Sequence, residues 1–332
     1  MDTILPSPLT LRVIACIVSG SIFGVLARKG VMALTTYEGA FLSGVVWANF
    51  GACFIMGFLV KSSNIWAELT TNGKYSTKGA IPLYTGLTTG FCGTFSSFST
   101  VILEAFLKSA NLEMGTHYQY PNAGYGVMDF LAVIFVHMGT AIIAFYIGKH
   151  ICEALESRYI SLPPKVYIIL ESVGIFTGIS AYIIVIVLTG VKSNASWRAW
   201  TFSCIFAPFG AVLRYYLSKK NPLYKSFPVG TFAANTFGTL VLSVLNLISR
   251  GKTISGDGQL VSDVLSCQVL SGIDDGFCGG LTTVSTFISE IVSLRTIHAY
   301  KYAITSIIVS YCLVVLTLGS YNWSVGVTDA AC

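Results

Sequence analysis

Long apolar runs without charged residues recur along the chain, and short polar segments separate them. A membrane-spanning helix needs about 20 largely apolar residues. Two shorter runs, 13–27 and 199–213, each end at an arginine, and the run before Glu290 is interrupted by Asp274 and Asp275. The pattern predicts an all-α integral membrane protein with nine spanning helices. The longer runs are 40–60, 79–103, 130–148, 172–191, 226–249 and 302–328.

The same landmarks occur twice in the chain, 186 residues apart. This internal repeat predicts an N-terminal four-helix unit at 1–150, a C-terminal four-helix unit at 199–332, and a connector at 151–198 with one helix at about 166–191. Because the single connecting helix reverses the direction of the second unit, we expect the two units to be inverted. The paired landmarks are Arg28 and Arg214, Asn49 and Asn235, Gly93 and Gly279, and Glu104 and Glu290.

Composition and charge agree with a membrane location. Of the 332 residues, 54% are apolar and 11% are charged, and the mean hydropathy is +0.72. The net charge of +5 is spread over short segments, so nucleic acid is not an expected partner. With the N-terminus inside, 13 of the 20 basic residues lie on the cytoplasmic side, which predicts a cytoplasmic N-terminus and an extracellular C-terminus.

The third span of each unit has an unusual sequence, GFCGTFSSFST at 90–100 and GFCGGLTTVSTF at 276–287. Glycines and hydroxyl residues at mid-membrane depth indicate an unwound helix, whose carbonyls and amides need protein, water or an ion as partners. Small-residue helix packing of the G-x-x-x-G kind explains the same spacing equally well. The spacing alone leaves both interpretations open.

Two pairs of polar residues lie at matching positions in the units. Asn49 and Asn235 lie in the middle of uncharged spans, where an amide needs a hydrogen-bond partner. Helix-to-helix contact explains one such asparagine, but its recurrence in both units favours a site. Arg28 and Arg214 close the first helix of each unit, where a boundary residue whose charge reaches water and an anion-attracting vestibule are equal alternatives.

The last helix carries a polar stripe. Tyr302, Ser306 and Ser310 recur at every fourth position and therefore share one face of an otherwise apolar helix. The aligned face of the first unit has no such stripe, which indicates that the two units have diverged in function. That face consists of Leu131, Phe135 and Gly139.

These motifs are similar to those of the fluoride channel family. GFCGGLTTVSTF at 276–287 resembles the family signature, and N-x-x-G at 235–238 resembles its second-helix motif. The family includes fungal and other eukaryotic exporters that fuse two four-helix units through a linker helix, whereas bacterial members pair separate subunits antiparallel. The resemblance covers about 13–150 and 199–322.

The resemblance implies a structural Na+ ion at the interface of the two repeats. In bacterial members, backbone carbonyls at the breaks of both third helices hold this ion. The ion adds positive charge at the centre and gives the unwound carbonyls a partner. The corresponding residues are Gly93, Ser96, Gly279 and Thr282.

The resemblance also implies a single working pore. Family pores are lined by two phenylalanines per third helix, but this chain keeps Phe98 in one unit and Phe287 in the other, with Val101 and Val284 at the remaining positions. Arg28 and Arg214 are the expected vestibule residues. The expected pore-lining residues are Asn49, Asn235, Phe98, Phe287, Thr283, Ser285, Tyr302, Ser306 and Ser310. Whether Asn49 lines the working pore or only braces the second, degenerate one stays open.

By this resemblance, the chain is expected to be a passive fluoride channel of the plasma membrane that exports cytoplasmic fluoride and confers fluoride resistance. It would act as a monomer surrounded by membrane lipid. The sequence has no nucleotide-binding motif, catalytic triad or metal-binding motif, so we do not expect an enzyme.

The main alternative is a proton-coupled secondary transporter of a small anion, because inverted repeats with broken helices are common in that class. It requires a titratable group in the pathway. His137 is the midspan candidate, but it lies in the unit without the polar stripe, and a packing role is expected for it. Glu104 and Glu290 end their helices and are expected to support the site or mark the membrane boundary. A membrane assembly protein without transport would leave the stripe unexplained.

Overall fold

The described part of the chain consists of helices joined by loops and turns, with one isolated bridge between Lys252 and Gln259. The computed structural model describes residues 7–37, 39–71, 74–112, 120–156, 161–191, 197–253 and 258–328. We number the main helical segments within these ranges α1 to α9. They are α1 (Pro8–Thr35), α2 (Val45–Lys61), α3 (Pro82–Ser109), α4 (Ala123–Glu156), α5 (Pro164–Val191), α6 (Arg198–Ser218), α7 (Val229–Arg250), α8 (residues 264–293) and α9 (Thr296–Ser324).

Six helices within the described ranges are long and apolar enough to cross a membrane, namely α1, α3, α4, α5, α7 and α9. The helix α2 is apolar but has 17 residues, and α6 and the interrupted α8 are not among the six. An all-helical membrane protein is therefore confirmed, and the layout of nine spans stays a prediction. Only 11% of the apolar window of α5 is buried, so most of its surface is available to lipid.

Two helices continue past the arginine at which the sequence predicted their end. The helix α1 begins after Ser7, whose hydroxyl caps it by accepting the Thr10 amide at 3.3 Å. It then passes Arg28, just as α6 passes Arg214. These arginines are only 1% and 2% exposed. Each arginine therefore lies inside its helix, shielded from water, and does not mark a helix end.

The two broken helices join the units. The second half of α3, Phe98–Ser109, packs on α4 of its own unit and on α7 and α9 of the other. The second half of α8, Ser285–Ser293, packs on α9 of its own unit and on α2 and α4 of the other. The helices α1 and α6 pack together, and α5 contacts both. Arg12 and Glu171 fasten α5 to α1 through a two-pronged ion pair, with each N–O distance 2.7 Å.

The helices α2 and α4 meet backbone to backbone. A Cβ atom at Gly57 would lie 2.0 Å from the carbonyl oxygen of Phe145, and one at Gly148 would lie 2.0 Å from that of Phe54. Glycine at both positions permits this close approach. The seam between α2 and α4 therefore leaves no passage at this level.

Candidate functional site

Both broken helices are interrupted at equivalent positions. In α3, Ser96 and Ser97 have extended backbone angles, and in α8 Thr282 has φ −88° and ψ 154°, close to the −88° and 155° of Ser96. The interruption removes helical partners from the backbone groups around it, in a setting where water is excluded. Other parts of the chain must therefore supply those hydrogen bonds.

Asn49 and Asn235 hold the broken backbone. The Oδ1 atom of Asn49 accepts the amide of Ser97 at 2.9 Å, and that of Asn235 accepts the amide of Thr283 at 2.8 Å. Their Nδ2 groups donate to the carbonyls of the same two residues, at 3.5 and 3.2 Å. Each asparagine replaces bonds that the break removes, which explains why it recurs at one register.

Each break also caps the helix of the other unit. The Ser96 hydroxyl accepts the amides of Val284 and Ser285 at 3.2 and 3.1 Å, at the start of the second half of α8. In return, the Thr282 hydroxyl accepts the amide of Ser99 at 3.2 Å, at the start of the second half of α3. Hydroxyl caps normally come from the preceding residue of the same helix. Ser97 and Thr283 supply such local caps, to the amides of Thr100 and Thr286. The caps from Ser96 and Thr282 are additional and cross between the repeats.

Arg28 lies at the centre of the molecule and not at an open vestibule. Its Nη1 donates to the carbonyls of Thr94 at 2.7 Å and Gly279 at 3.0 Å, and its Nη2 donates to the carbonyl of Asp275. The last two contacts reach the broken helix of the opposite unit.

Arg214 makes the matching contacts in the other direction. Its Nη1 donates to the carbonyl of Gly93 at 2.7 Å and its Nη2 to that of Thr89 at 2.5 Å, with a longer contact of 3.4 Å to Thr282. Gly93 and Thr89 lie 186 residues before the two carbonyls in α8 that Arg28 reaches. The two arginines therefore cross reciprocally between the repeats.

Three of the four carbonyls expected to hold Na+ accept hydrogen bonds from arginine. Those of Gly93 and Gly279 accept hydrogen bonds from arginine at 2.7 and 3.0 Å, and that of Thr282 accepts one at 3.4 Å. A further cation in contact with these oxygens would be repelled by two buried guanidinium groups. The carbonyls of Gly93, Gly279 and Thr282 therefore do not fit a Na+ ion held as expected. The ion stays a prediction for measurement.

Three aromatic rings form a buried row between the units. Phe98 and Phe287 meet edge to face with their centroids 5.2 Å apart, and Phe287 lies 5.0 Å from Tyr302. All three side chains are fully buried. Val101 and Val284 are buried as well but add no ring. The two surviving phenylalanines are therefore brought together at one place.

The predicted stripe on α9 is buried along its length. Tyr302, Ser306 and Ser310 are each 0% exposed, and α9 packs there on α7 and the second half of α3. The Ser310 hydroxyl donates to Thr236 at 3.5 Å. The Ser306 hydroxyl has no hydrogen-bond partner within the described ranges. A buried hydroxyl without a partner is costly, so this position suits a passing hydrogen-bond acceptor.

A second polar stripe lies on α7. Thr231, Asn235, Thr239 and Ser243 recur at every fourth residue, and each is at most 1% exposed. The Ser243 hydroxyl accepts a hydrogen bond from Thr317 of α9 at 2.8 Å. The four-residue spacing is visible in the sequence, but Asn235 was the one member of this stripe expected to line a pore.

Glu290 joins the two stripes at one end. Its carboxylate accepts the Thr231 hydroxyl at 2.6 Å, the Asn221 amide at 2.8 Å and the Tyr302 hydroxyl at 2.7 Å. A tyrosine hydroxyl has one proton, and Tyr302 donates that proton to Glu290. Glu290 therefore fixes the orientation of the hydroxyl at the start of the α9 stripe.

The first unit lacks this arrangement. Its matching carboxylate, Glu104, accepts the Ser43 amide and hydroxyl at 2.7 and 2.6 Å and contacts His137 Nε2 at 3.2 Å. Glu104 and His137 therefore hold each other in the unit without polar stripes. The positions of α2 that match the α7 stripe are Val45, Asn49, Cys53 and Gly57.

Comparison with known proteins assigns the chain to a family. The family described as CrcB-like protein, Camphor Resistance (CrcB) matches residues 15–149 and again residues 201–319. The chain belongs to the CrcB-like family. Because the match occurs twice, this CrcB-like protein carries two fused copies of the family domain. No solved structure matches it.

The relatives of this CrcB-like protein include proteins that match nearly its full length and one that matches about a third of it. Fluoride export protein 1 of Candida albicans is 52% identical over 315 residues, which cover 95% of this chain and 81% of that protein. Fluoride export protein 1 of Saccharomyces cerevisiae is 34% identical over 94% of this chain and 93% of its own length. The fluoride-specific ion channel FluC of Pyrococcus furiosus is 40% identical over 30% of this chain and 72% of its own.

Proposed function

We propose that this CrcB-like protein is a passive fluoride channel that exports cytoplasmic fluoride, driven by the inside-negative membrane potential, and so confers fluoride resistance. Its relatives are named as fluoride export proteins or as a fluoride-specific ion channel, which supports fluoride as the substrate. Since these are exporters and channels, the expectation that the chain is not an enzyme is confirmed.

One observation supports a single pore, namely the difference between two matching seams. Hydroxyl groups meet across the seam between α7 and α9, Ser310 with Thr236 and Ser243 with Thr317, whereas Gly57 and Gly148 close the seam between α2 and α4. Phe98 and Phe287 lie beside the polar seam, next to Tyr302. The working pore is therefore assigned to the space between α7, α9 and the second half of α3.

The chemistry of this seam suits a small, strongly hydrated anion. A selective pathway must replace the water around an ion with contacts that favour binding but still allow release. The hydroxyls of Ser306 and Ser310 are weak donors, and an aromatic ring presents a positive edge. The Tyr302 proton is shared with Glu290, so fluoride competes with the carboxylate for it. This competition keeps binding at Tyr302 loose enough for release.

The reciprocal contacts support a two-fold relation between the repeats, and the single connecting helix α5 supports an inverted arrangement of nine spans. In a two-fold interface, a residue of one unit contacts a segment of the other, and the equivalent residue of that other unit makes the equivalent contact in return. Arg28 with Arg214, and Ser96 with Thr282, follow this rule. In this arrangement the N-terminus is cytoplasmic and the C-terminus is extracellular. Both repeats lie in one chain. The protein would thus function as a monomer in the plasma membrane.

Fluoride efflux from liposomes tests this function. The purified chain is reconstituted with internal potassium fluoride, valinomycin sets the voltage, and no pH gradient is imposed. A fluoride electrode should record efflux that increases with the driving voltage. Ser306→Ala should slow it, whereas Thr140→Ala, which removes a hydroxyl from α4 of the first unit, should not. No efflux at any voltage would refute the proposal.

The same assay separates a channel from a proton-coupled transporter. The carboxyl of Glu290 favours that alternative, because it contacts Tyr302 at the end of the stripe. A coupled transporter needs a proton gradient and accumulates fluoride against its own gradient when protons flow. A channel gives full efflux without the gradient and never accumulates the ion.

A further inference from the structure

A crevice of about 390 Å³ opens between α4 and α9. At this level the two helices do not pack against each other. Its walls include Ile142 of α4 and Ala303 of α9, and Ile288 and Ile291 of α8 form its floor. Neighbouring apolar side chains on the outer faces are exposed, including Ile143 at 57% and Ile304 at 54%. In a membrane, such a surface faces lipid.

The crevice reaches the aromatic row of the site. Phe287 forms part of its floor, and the same ring contacts Phe98 and Tyr302 at 5.2 and 5.0 Å. A molecule bound in the crevice therefore contacts the Phe287 ring, which lies beside the polar seam.

The mouth of the crevice is basic. Tyr146 lines it, and the Lys149 ammonium lies 5.3 Å from the Tyr146 ring centroid. On the other wall, exposed Arg295 precedes Thr296, which lines the crevice, and exposed Lys301 lines an adjoining groove that shares Thr296 and Tyr300 with it. The nearby carboxylate Glu153 is paired with Lys61 at 2.9 Å. Lys149 and Arg295 thus lie at the mouth of an apolar groove, and Lys301 lies in the groove beside it.

We propose that this crevice binds one anionic phospholipid of the cytoplasmic leaflet, with its headgroup at Lys149, Arg295 and Lys301 and an acyl chain against Ile291 and Phe287. Basic pockets between spanning helices on the cytoplasmic side select anionic headgroups in this way. The assignment of leaflet rests on the orientation given under the proposed function. Through Phe287, the bound lipid sets how rigidly the aromatic row is held, so flux depends on lipid charge.

Native mass spectrometry of the full chain in detergent tests the site, with phosphatidylserine and phosphatidylcholine as probes. We expect one retained phosphatidylserine and much weaker retention of phosphatidylcholine. The triple variant Lys149→Gln, Arg295→Gln, Lys301→Gln should bind phosphatidylserine about a hundredfold more weakly, since each basic residue contributes about a factor of five. Ala303→Trp, which fills the groove, should lose both lipids.

A matched control removes three lysines elsewhere on the same predicted side, as Lys165→Gln, Lys219→Gln, Lys220→Gln, and should retain phosphatidylserine. Equal loss in the control, or unchanged binding in the triple variant, would overturn the proposal. Liposome efflux supplies a second readout: the ratio of flux in phosphatidylserine to that in phosphatidylcholine vesicles should fall to about 1 in the triple variant. Absence of flux in every vesicle would refute the channel but not the lipid site, because lipid retention is measured without fluoride.

Discussion

Gly57 of α2 and Ser243 of α7 occupy the same register of the two repeats and have opposite consequences. At Gly57 the missing side chain lets α2 approach α4 until a Cβ would lie 2.0 Å from the Phe145 carbonyl oxygen. At Ser243 the hydroxyl instead accepts a hydrogen bond from Thr317 at 2.8 Å. One seam is closed by backbone contact, and the other keeps a polar lining.

The closed seam makes Gly57 intolerant of any side chain. Gly57→Ala should lower the free energy of unfolding by about 1–3 kcal/mol, the usual cost of overpacking, because its Cβ meets backbone that cannot rotate away. Gly139→Ala on α4 is the matched control, since no atom lies within 4 Å of its added Cβ. That control should be neutral or slightly stabilising. Thermal unfolding of the purified variants measures both, and equal stability would show that the seam is not tightly packed.

The aromatic row predicts an unequal response to substitution. Phe98→Leu and Phe287→Leu should each slow fluoride efflux about tenfold or more, equivalent to about 1.4 kcal/mol, because the positive ring edge is lost. Val101→Ala and Val284→Ala remove buried volume at the matching positions without removing a ring, and should leave efflux within about twofold of the wild type. A comparable loss in all four variants would argue for two equivalent pores.

Glu104 and Glu290 lie within the second halves of the broken helices and not, as the sequence had predicted, at their ends, and they should separate transport from stability. Glu290→Gln weakens the acceptor that holds the Tyr302 hydroxyl, so efflux should fall severalfold while the chain still folds. Glu104→Gln weakens the bonds to Ser43 and His137 instead, and should lower the free energy of unfolding by about 1–3 kcal/mol with little change in efflux per folded protein. If Glu104→Gln stops efflux in a stable protein, the first unit also conducts.

The sequence predicted features that depend on local pattern. The repeat offset, the interrupted third spans and the stripe at Tyr302, Ser306 and Ser310 each follow from spacing along one helix, and the structure shows the breaks and the stripe at those positions. Asn49 and Asn235 were expected to line a pore, but each binds the backbone of its own broken helix.

Contacts between distant segments were not predictable in the same way. Because each follows an apolar run, the arginines were interpreted as boundary or vestibule residues, and only the crossing of the repeats shows that they bind carbonyls of the opposite unit. The exchange of helix caps between Ser96 and Thr282 depends on the same crossing. Glu290 gains its role from three donors, of which Asn221 lies 69 residues away in the chain.

The crossing arginines bear directly on the predicted Na+ ion. An ion bound only by the folded state stabilises it according to its concentration, by about 2.7 kcal/mol at one hundred times its dissociation constant. If the guanidinium groups alone neutralise the carbonyls of Gly93 and Gly279, the unfolding temperature should be the same in sodium chloride and in N-methylglucamine chloride of equal ionic strength.

Arg214→Gln removes one of these cations and should lower stability, because it leaves a buried carbonyl without its donor. It should also reveal a Na+ dependence, since repulsion at the carbonyls is then smaller. A Na+-specific rise in the wild type would instead show that each carbonyl uses one lone pair for arginine and the other for the ion.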